Sequence, residues 1–186
     1  MEKVFLIFVF ILVLFYLVIV LDTQSNGIYQ QERIGKFGQP FNIYKIRTLH
    51  AHTQKISILG KMLRKTKINE LPQILNILKG EMTFVGPRPD VAGYADKLEG
   101  ADRIILNLKP GITGLASLKY RNEEQILSQQ PNPQLYNDEV IWLDKVRINK
   151  WYAENRTLVM DVQILFYTLF PISFDVDRFM QGGESN

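Results

Sequence analysis

Residues 64–90 run RKTKINELPQILNILKGEMTFVGPRPD, placing a cationic approach, a helix start, an acidic side chain and a Gly-Pro-Arg-Pro turn in one span. Asn69 has the side chain of an N-cap, able to accept from a free backbone N–H of the first turn. Pro72 is tolerated there because first-turn N–H groups have no intrahelical partner. Ile74, Leu75, Ile77 and Leu78 give an apolar face at helical spacing, and Gly80 is a natural stop. The spacing predicts a short helix over 69–79 with Glu70 at its beginning. A helix start attracts anions, and Arg64, Lys65 and Lys67 add positive charge beside it. Glu70 is a candidate ligand for a hard divalent cation of the kind shared with substrate phosphates. Pro87 and Pro89 restrict the backbone on either side of Arg88, whose guanidinium suits bidentate phosphate contact. A plain capped helix with a solvated cationic face is the alternative that this span shares with many proteins.

Working outward, the 186 residues are 46% apolar, enough for one domain plus attachments. A net charge of +3 suits anionic lipid or phosphorylated substrates. It is too weak and too scattered for nucleic acid. With no cysteine, disulfides and thiolate metal sites are excluded. His50 and His52 are the only histidines, in a polar loop that makes a weak zinc site.

Val4 to Leu21 is an apolar run of about 18 residues, roughly 27 Å as a helix and just long enough to cross a bilayer core. Its length, and the absence of a small-residue cleavage site after Leu21, favour an anchor over a signal peptide. The absence of a polar face argues against a buried core helix. The anchor, residues 1–22, either spans or re-enters. Arg33, Lys36, Lys45 and Arg47 follow it, which sets the rest of the chain in the cytoplasm. Gly27–Arg33 and Phe41–Thr48 alternate apolar and polar around a Gly-Lys-Phe-Gly turn and predict a β-hairpin. Ile56–Arg64 predicts an amphipathic helix, for the membrane interface or for the core. Further on, Val91–Leu108 reads as helix in two pieces broken near Gly100, and Pro110–Gly114 as a tight loop. A helix follows from Asn137 or Asp138 to Asn155, then a second over Thr157–Phe170 ending at Pro171. Residues 181–186 form a polar tail. The expected fold is mostly α with a small β-hairpin, a compact catalytic domain over 23–180 carrying interfacial amphipathic helices.

The 64–90 segment resembles the signature of the bacterial sugar transferases, the monotopic phosphoglycosyl transferases: a basic-Thr stretch, an Asp-Glu pair, Leu-Pro-Gln, a hydrophobic run to Lys-Gly-Asp-Met-Ser, then Val-Gly-Pro-Arg-Pro. GQPFNIYKIRTL before it and LKPGITGLASLKYRNEE after it extend the likeness from about Gln30 onward. The resemblance implies transfer of a phospho-sugar from a UDP-sugar to undecaprenyl phosphate, releasing UMP, with Mg²⁺, as the first membrane step of exopolysaccharide, capsule or O-antigen assembly. It implies the bilayer as partner and the cytoplasmic face of a bacterial inner membrane as location. A homo-oligomer is a further option. It assigns the catalytic pair to Asn69 and Glu70, the metal to Glu70, and the diphosphate to Arg88, Pro87 and Pro89, with Arg64, Lys65 and Arg47 in support. Glu70 and Arg88 are expected to meet one diphosphate. One departure stands out: the family has its nucleophilic Asp where this chain has Asn69, and an amide cannot serve as a carboxylate nucleophile. Either Glu70 or Glu81 takes that role, or the lipid phosphate attacks directly, or the chain is an altered relative that binds nucleotide-sugar or a partner transferase.

Overall fold

The computed structural model describes residues 2–170 and 172–183. It divides into two compact units. One comprises Met1–Glu32 and Asn42–Leu78, the other Arg33–Phe41 and Lys79–Asn186.

In the first unit, helix α1 (Glu2–Thr23) takes in the whole apolar run. Near its end Ile19 packs with Ile46 and Leu63 in a small core, with Phe15, Leu59 and Ile68 against it. The Thr23 hydroxyl donates to the Ile19 carbonyl at 2.7 Å. Phe10, Leu14, Leu17, Val18 and Leu21 are exposed. Among the described residues no helix is long and apolar enough to cross a membrane.

β1 (Ile28–Ile34) and β2 (Pro40–Ile46) pair in a two-stranded sheet, as the alternating pattern required. Helix α2 (Ile58–Lys65) begins at Ser57, whose Oγ accepts from the Gly60 N–H at 2.8 Å. It buries Leu63 and leaves Ile58 and Met62 exposed. A 3-10 turn (Ile68–Gln73) and the short helix α3 (Ile74–Leu78) follow. Asn76 is fully buried. Its amide donates to the Asn42 carbonyl at 2.7 Å and accepts from the Tyr44 N–H at 3.2 Å, so a side chain of α3 completes the hydrogen bonding of β2.

The second unit holds a sheet that periodicity did not announce. β3 (Thr83–Val85) and β4 (Gly111–Thr113) run parallel, in the register Thr83 with Gly111 and Val85 with Thr113. The connection between them is 3-10 helix at Ala95–Lys97 and Gly100–Asn107, where an α-helix in two pieces was expected. The break falls at Gly100, whose φ of +56° is a glycine conformation.

Helices α4 (Leu115–Lys119), α5 (Glu123–Ser128) and α6 (Pro133–Tyr136) lead to a π-turn at Asn137–Ile141 and to α7 (Trp142–Asn155). Helical structure therefore starts before Asn137. Asn132 caps it, accepting from the Leu135 N–H at 3.1 Å, and Pro133 takes the first position, where its fixed φ fits. α8 (Leu158–Leu169) falls within the helix expected over 157–170, with Thr157 as its cap, and α9 (Val176–Gly183) follows. Of the expected polar tail, Gln181–Gly183 close α9, and residues 184–186 lie outside the described residues. The core of this unit joins Val85, Leu115, Ile148, Trp151, Tyr152, Met160 and Ile164. Each large side chain buried there contributes roughly 1.5–3 kcal/mol. The fold is mixed, mostly helical, with two small sheets where one hairpin was expected.

Candidate active site

The sequence-assigned residues fall in both units. Asn69, Glu70, Arg64, Lys65 and Arg47 belong to the first, and Arg88, Pro87 and Pro89 to the second.

The 68–78 segment differs from the expected helix start at Asn69. Lys67 turns the chain in a left-handed conformation (φ 58°), and the 3-10 turn begins at Ile68. The Glu70 N–H donates to the Lys67 carbonyl at 3.0 Å. Asn69 therefore sits inside the turn and caps nothing. Its side-chain oxygen is buried and has no hydrogen-bond partner. A buried acceptor in that state costs roughly 1–3 kcal/mol. With a six-residue 3-10 turn and a five-residue α3, there is no long helix whose N-terminus would draw an anion.

Glu70 is buried, its side chain 9% exposed, and its carboxylate lies 3.9 Å from the Lys45 ammonium, itself 11% exposed. That separation is an ion pair at the limit of contact, too long for a hydrogen bond. Among the described residues no three His, Cys, Asp or Glu side chains gather as a metal cage. A single carboxylate fits Mg²⁺ only where phosphates and water fill the rest of its shell. Arg64 Nε donates to Thr48 Oγ1 at 2.8 Å, which fixes its stem. Arg47 Nε donates to the Asn26 carbonyl at 3.1 Å and its guanidinium lies 5.3 Å from the Tyr29 ring centroid. Lys65 is exposed at the end of α2. His50 Nδ1 accepts from the His52 and Thr53 N–H groups and closes its own loop.

The Gly-Pro-Arg-Pro turn is built differently. The Gly86 N–H donates to the Thr113 carbonyl, and the Gly111 N–H to the Pro87 carbonyl, both at 2.9 Å. At the far end the Ile34 N–H donates to the Asp90 carbonyl at 2.9 Å. Residues 86–90 are thus fastened to β4 on one side and to β1 on the other. Two glycines permit this. A Cβ on Gly86 would lie 2.6 Å from the Lys109 carbonyl oxygen, and one on Gly111 would overlap the Gly86 nitrogen. Two prolines fix the dihedrals and three backbone bonds fix the position, so Arg88 leaves a rigid base. A cleft beside it is lined by Arg88, Asp90, Trp142 and Asn149.

Around this turn lie groups that spacing could not assemble. Asp90 has its carboxyl pushed up to about 6 by burial, against the pull of Lys145, Arg88 and Arg33. Lys145 Nζ donates to both carboxylate oxygens of Glu123 at 2.8 Å. Tyr120 donates from its hydroxyl to Asp144 at 2.7 Å. Burial first, and then that bond, raise its phenol well above the ordinary range. Arg147 pairs with Asp144 and Asp177, and Lys119 pairs with the same two.

The second unit thus presents a rigid, proline-braced guanidinium followed by a carboxylate among cations. The family described as Bacterial sugar transferase matches residues 2–175, and the chain belongs to it. The expected enzyme class therefore holds: this is a sugar transferase. A Bacillus subtilis protein named uncharacterized sugar transferase EpsL is 31% identical over 86% of this chain and 76% of its own length. The undecaprenyl-phosphate galactose phosphotransferase of Salmonella typhimurium is 30% identical over 78% of this chain. The UDP-galactose-lipid carrier transferase of Erwinia amylovora is 28% identical over 76% of this chain. The chain spans about a third of the length of these last two, 33% and 32%.

Proposed function

We propose that this protein transfers a phospho-sugar from a UDP-sugar to a polyprenyl phosphate, releasing UMP, on the cytoplasmic face of a bacterial membrane. The observation that carries the reading is the fastened Gly86–Asp90 turn and its Arg88, in a chain whose relatives are named for this chemistry. Arg88 holds the donor's diphosphate and stabilises charge as it develops on the departing UMP. Within the first unit, Arg64, Lys65 and Arg47 supply positive charge suited to an anionic lipid surface. An oxygen of the lipid phosphate attacks the β-phosphorus of the donor. The bond from that phosphorus to the bridging oxygen breaks, and UMP leaves with the electron pair. Direct attack is the reading favoured here, because Asn69 lacks a carboxylate and the Glu70 side chain is 9% exposed beside Lys45. Glu70 is the residue of the first unit that would hold Mg²⁺, an ion that offsets negative charge where phosphates and water complete its shell.

The lipid substrate calls for a site at bilayer height. Exposed Ile58, Met62, Leu71, Ile74, Leu75 and Leu78 stand on α2, the 3-10 turn and α3. Lys55, Lys61, Lys65 and Lys67 are exposed on the same segment, the pairing that lays a helix in an anionic interface. α1, with its unbroken apolar run, is the anchor.

The test is UMP release by purified full-length protein in lipid nanodiscs, across a panel of UDP-sugars, with and without undecaprenyl phosphate. Release that depends on both substrates is expected. No release with any donor, or release indifferent to the lipid, would defeat the proposal.

A further inference from the structure

We propose that the second unit carries a binding groove for a neutral pyranose, with Phe37 as its platform and Arg103, Asn107 and Glu154 as its polar contacts.

The groove has a volume of about 510 Å³, and its lining includes no residue of the Gly86–Asp90 turn. That is room for a monosaccharide, within the range of small-molecule sites. Three elements wall it. The turn between β1 and β2 contributes Phe37, the 3-10 helix Gly100–Asn107 contributes Arg103, Ile104 and Asn107, and the last turn of α7 contributes Glu154.

Phe37 is the residue that points to a ligand. Its φ of 60° and ψ of 18° lie in the left-handed region, where a bulky side chain is rarely found. The turn holds it there: the Gly35 N–H donates to the Gln39 carbonyl at 2.8 Å, and the Gly38 N–H to the Gly35 carbonyl at 3.1 Å. The ring so placed is 61% exposed, so core packing gives no reason for the strain. The Lys36 ammonium lies 4.6 Å from the ring centroid and steadies it. A strained backbone that presents an uncovered aromatic ring to a groove suits a ligand platform.

The polar walls fix the ligand class. Arg103 is anchored by its own donation to the Leu98 carbonyl at 3.1 Å. Arg103, Asn107 and Glu154 are all exposed. A guanidinium only donates, a carboxylate only accepts, and an amide does both. Sugar hydroxyls donate and accept, so a rim of them can meet all three groups, while the C–H face of the ring lies flat on Phe37. Arg103 and Glu154 offset each other in charge, and a phosphate here would meet Glu154 as a like charge. The pyranose is either the sugar of the donor or part of a separate glycan, and the chemistry is the same for both.

The experiment is saturation-transfer NMR on the full chain in nanodiscs, with the methyl glycosides of glucose, galactose, N-acetylglucosamine and N-acetylgalactosamine as probes. Transfer to at least one glycoside is expected. It should fall about fivefold in Phe37→Ala and in Glu154→Gln and persist in Phe37→Tyr, which keeps the platform. No transfer to any glycoside, or transfer that survives both of the first two variants, would overturn the proposal. This readout needs no turnover, so its failure is distinct from failure of the proposed function. A second arm, which rests on that function, finds the source of the sugar. If it is the donor's, the KM for UDP-sugar in Phe37→Ala rises about tenfold while inhibition by UMP is unchanged. If it belongs to a separate glycan, that KM stays at the wild-type value although glycoside binding is lost. Loss of inhibition by UMP in Phe37→Ala would show that the groove reads the nucleotide, and would overturn the assignment.

Discussion

Two turns carry the assigned residues, and they are made in opposite ways. At Asn69–Glu70 the backbone is a 3-10 turn entered through a left-handed lysine. One side-chain oxygen is left without a partner, and one buried carboxylate meets a lysine at 3.9 Å. At Gly86–Asp90 the backbone is held by three inter-segment hydrogen bonds, two prolines and close glycine contacts. The first turn leaves one buried acceptor, Asn69 Oδ1, unmet, whereas the second is preorganised in its backbone. Preorganised donors do most for a transition state, because they need not rearrange as charge develops. Under the proposed function the diphosphate therefore falls to the second turn.

The largest effect expected is at Gly111. Gly111→Val would drive a side chain into the Gly86 backbone and separate β3 from β4. A loss above about 3 kcal/mol, read by chemical denaturation, is expected. A variant as stable as wild type would show that the turn is less tightly fastened than described.

Next is Arg88→Gln. Losing a bidentate, charge-assisted contact should lower kcat/KM for UMP release about 100-fold, near 2.7 kcal/mol, with the thermal midpoint little changed. Less than a threefold loss would remove Arg88 from the site.

Asp90 gives a pH-dependent stability of known sign. Its folded value of about 6 lies above the usual carboxyl range, so its stabilising contribution is full below about pH 4 and is lost as pH rises through 6. Relative to Asp90→Asn, the wild type should lose on the order of 2 kcal/mol between pH 4 and pH 7.5. Equal stability curves for the two would contradict the burial of that carboxyl.

The smallest effect belongs to the first turn. Under direct attack, Asn69→Asp should change turnover less than about threefold. Turnover rising tenfold or more would show that a carboxylate nucleophile is what the first turn lacks.

Much of this was legible in the chain. Alternation around Gly35–Gly38 located the paired strands, and the apolar run before Pro171 located α8. Pro87 and Pro89 announced a rigid turn around Arg88. The parallel pair was not legible, because strands of three residues show no period and both lie among turn residues, in MTFVG and PGITG. Lys67 also hid the start of its turn, since lysine gives no signal for a left-handed conformation. The setting of Asp90 was invisible for a different reason: Arg33, Glu123 and Lys145 are far apart in the chain and gather only on folding.

The claim that this chain moves a phospho-sugar onto a lipid phosphate is tested most directly with donor labelled by ³²P at the β-phosphate. After incubation of the full chain with that donor and undecaprenyl phosphate, the account predicts label in the organic extract, none bound to protein, and little in the extract from Arg88→Gln. Label that stays in the aqueous phase, or that remains bound to the protein, would contradict it.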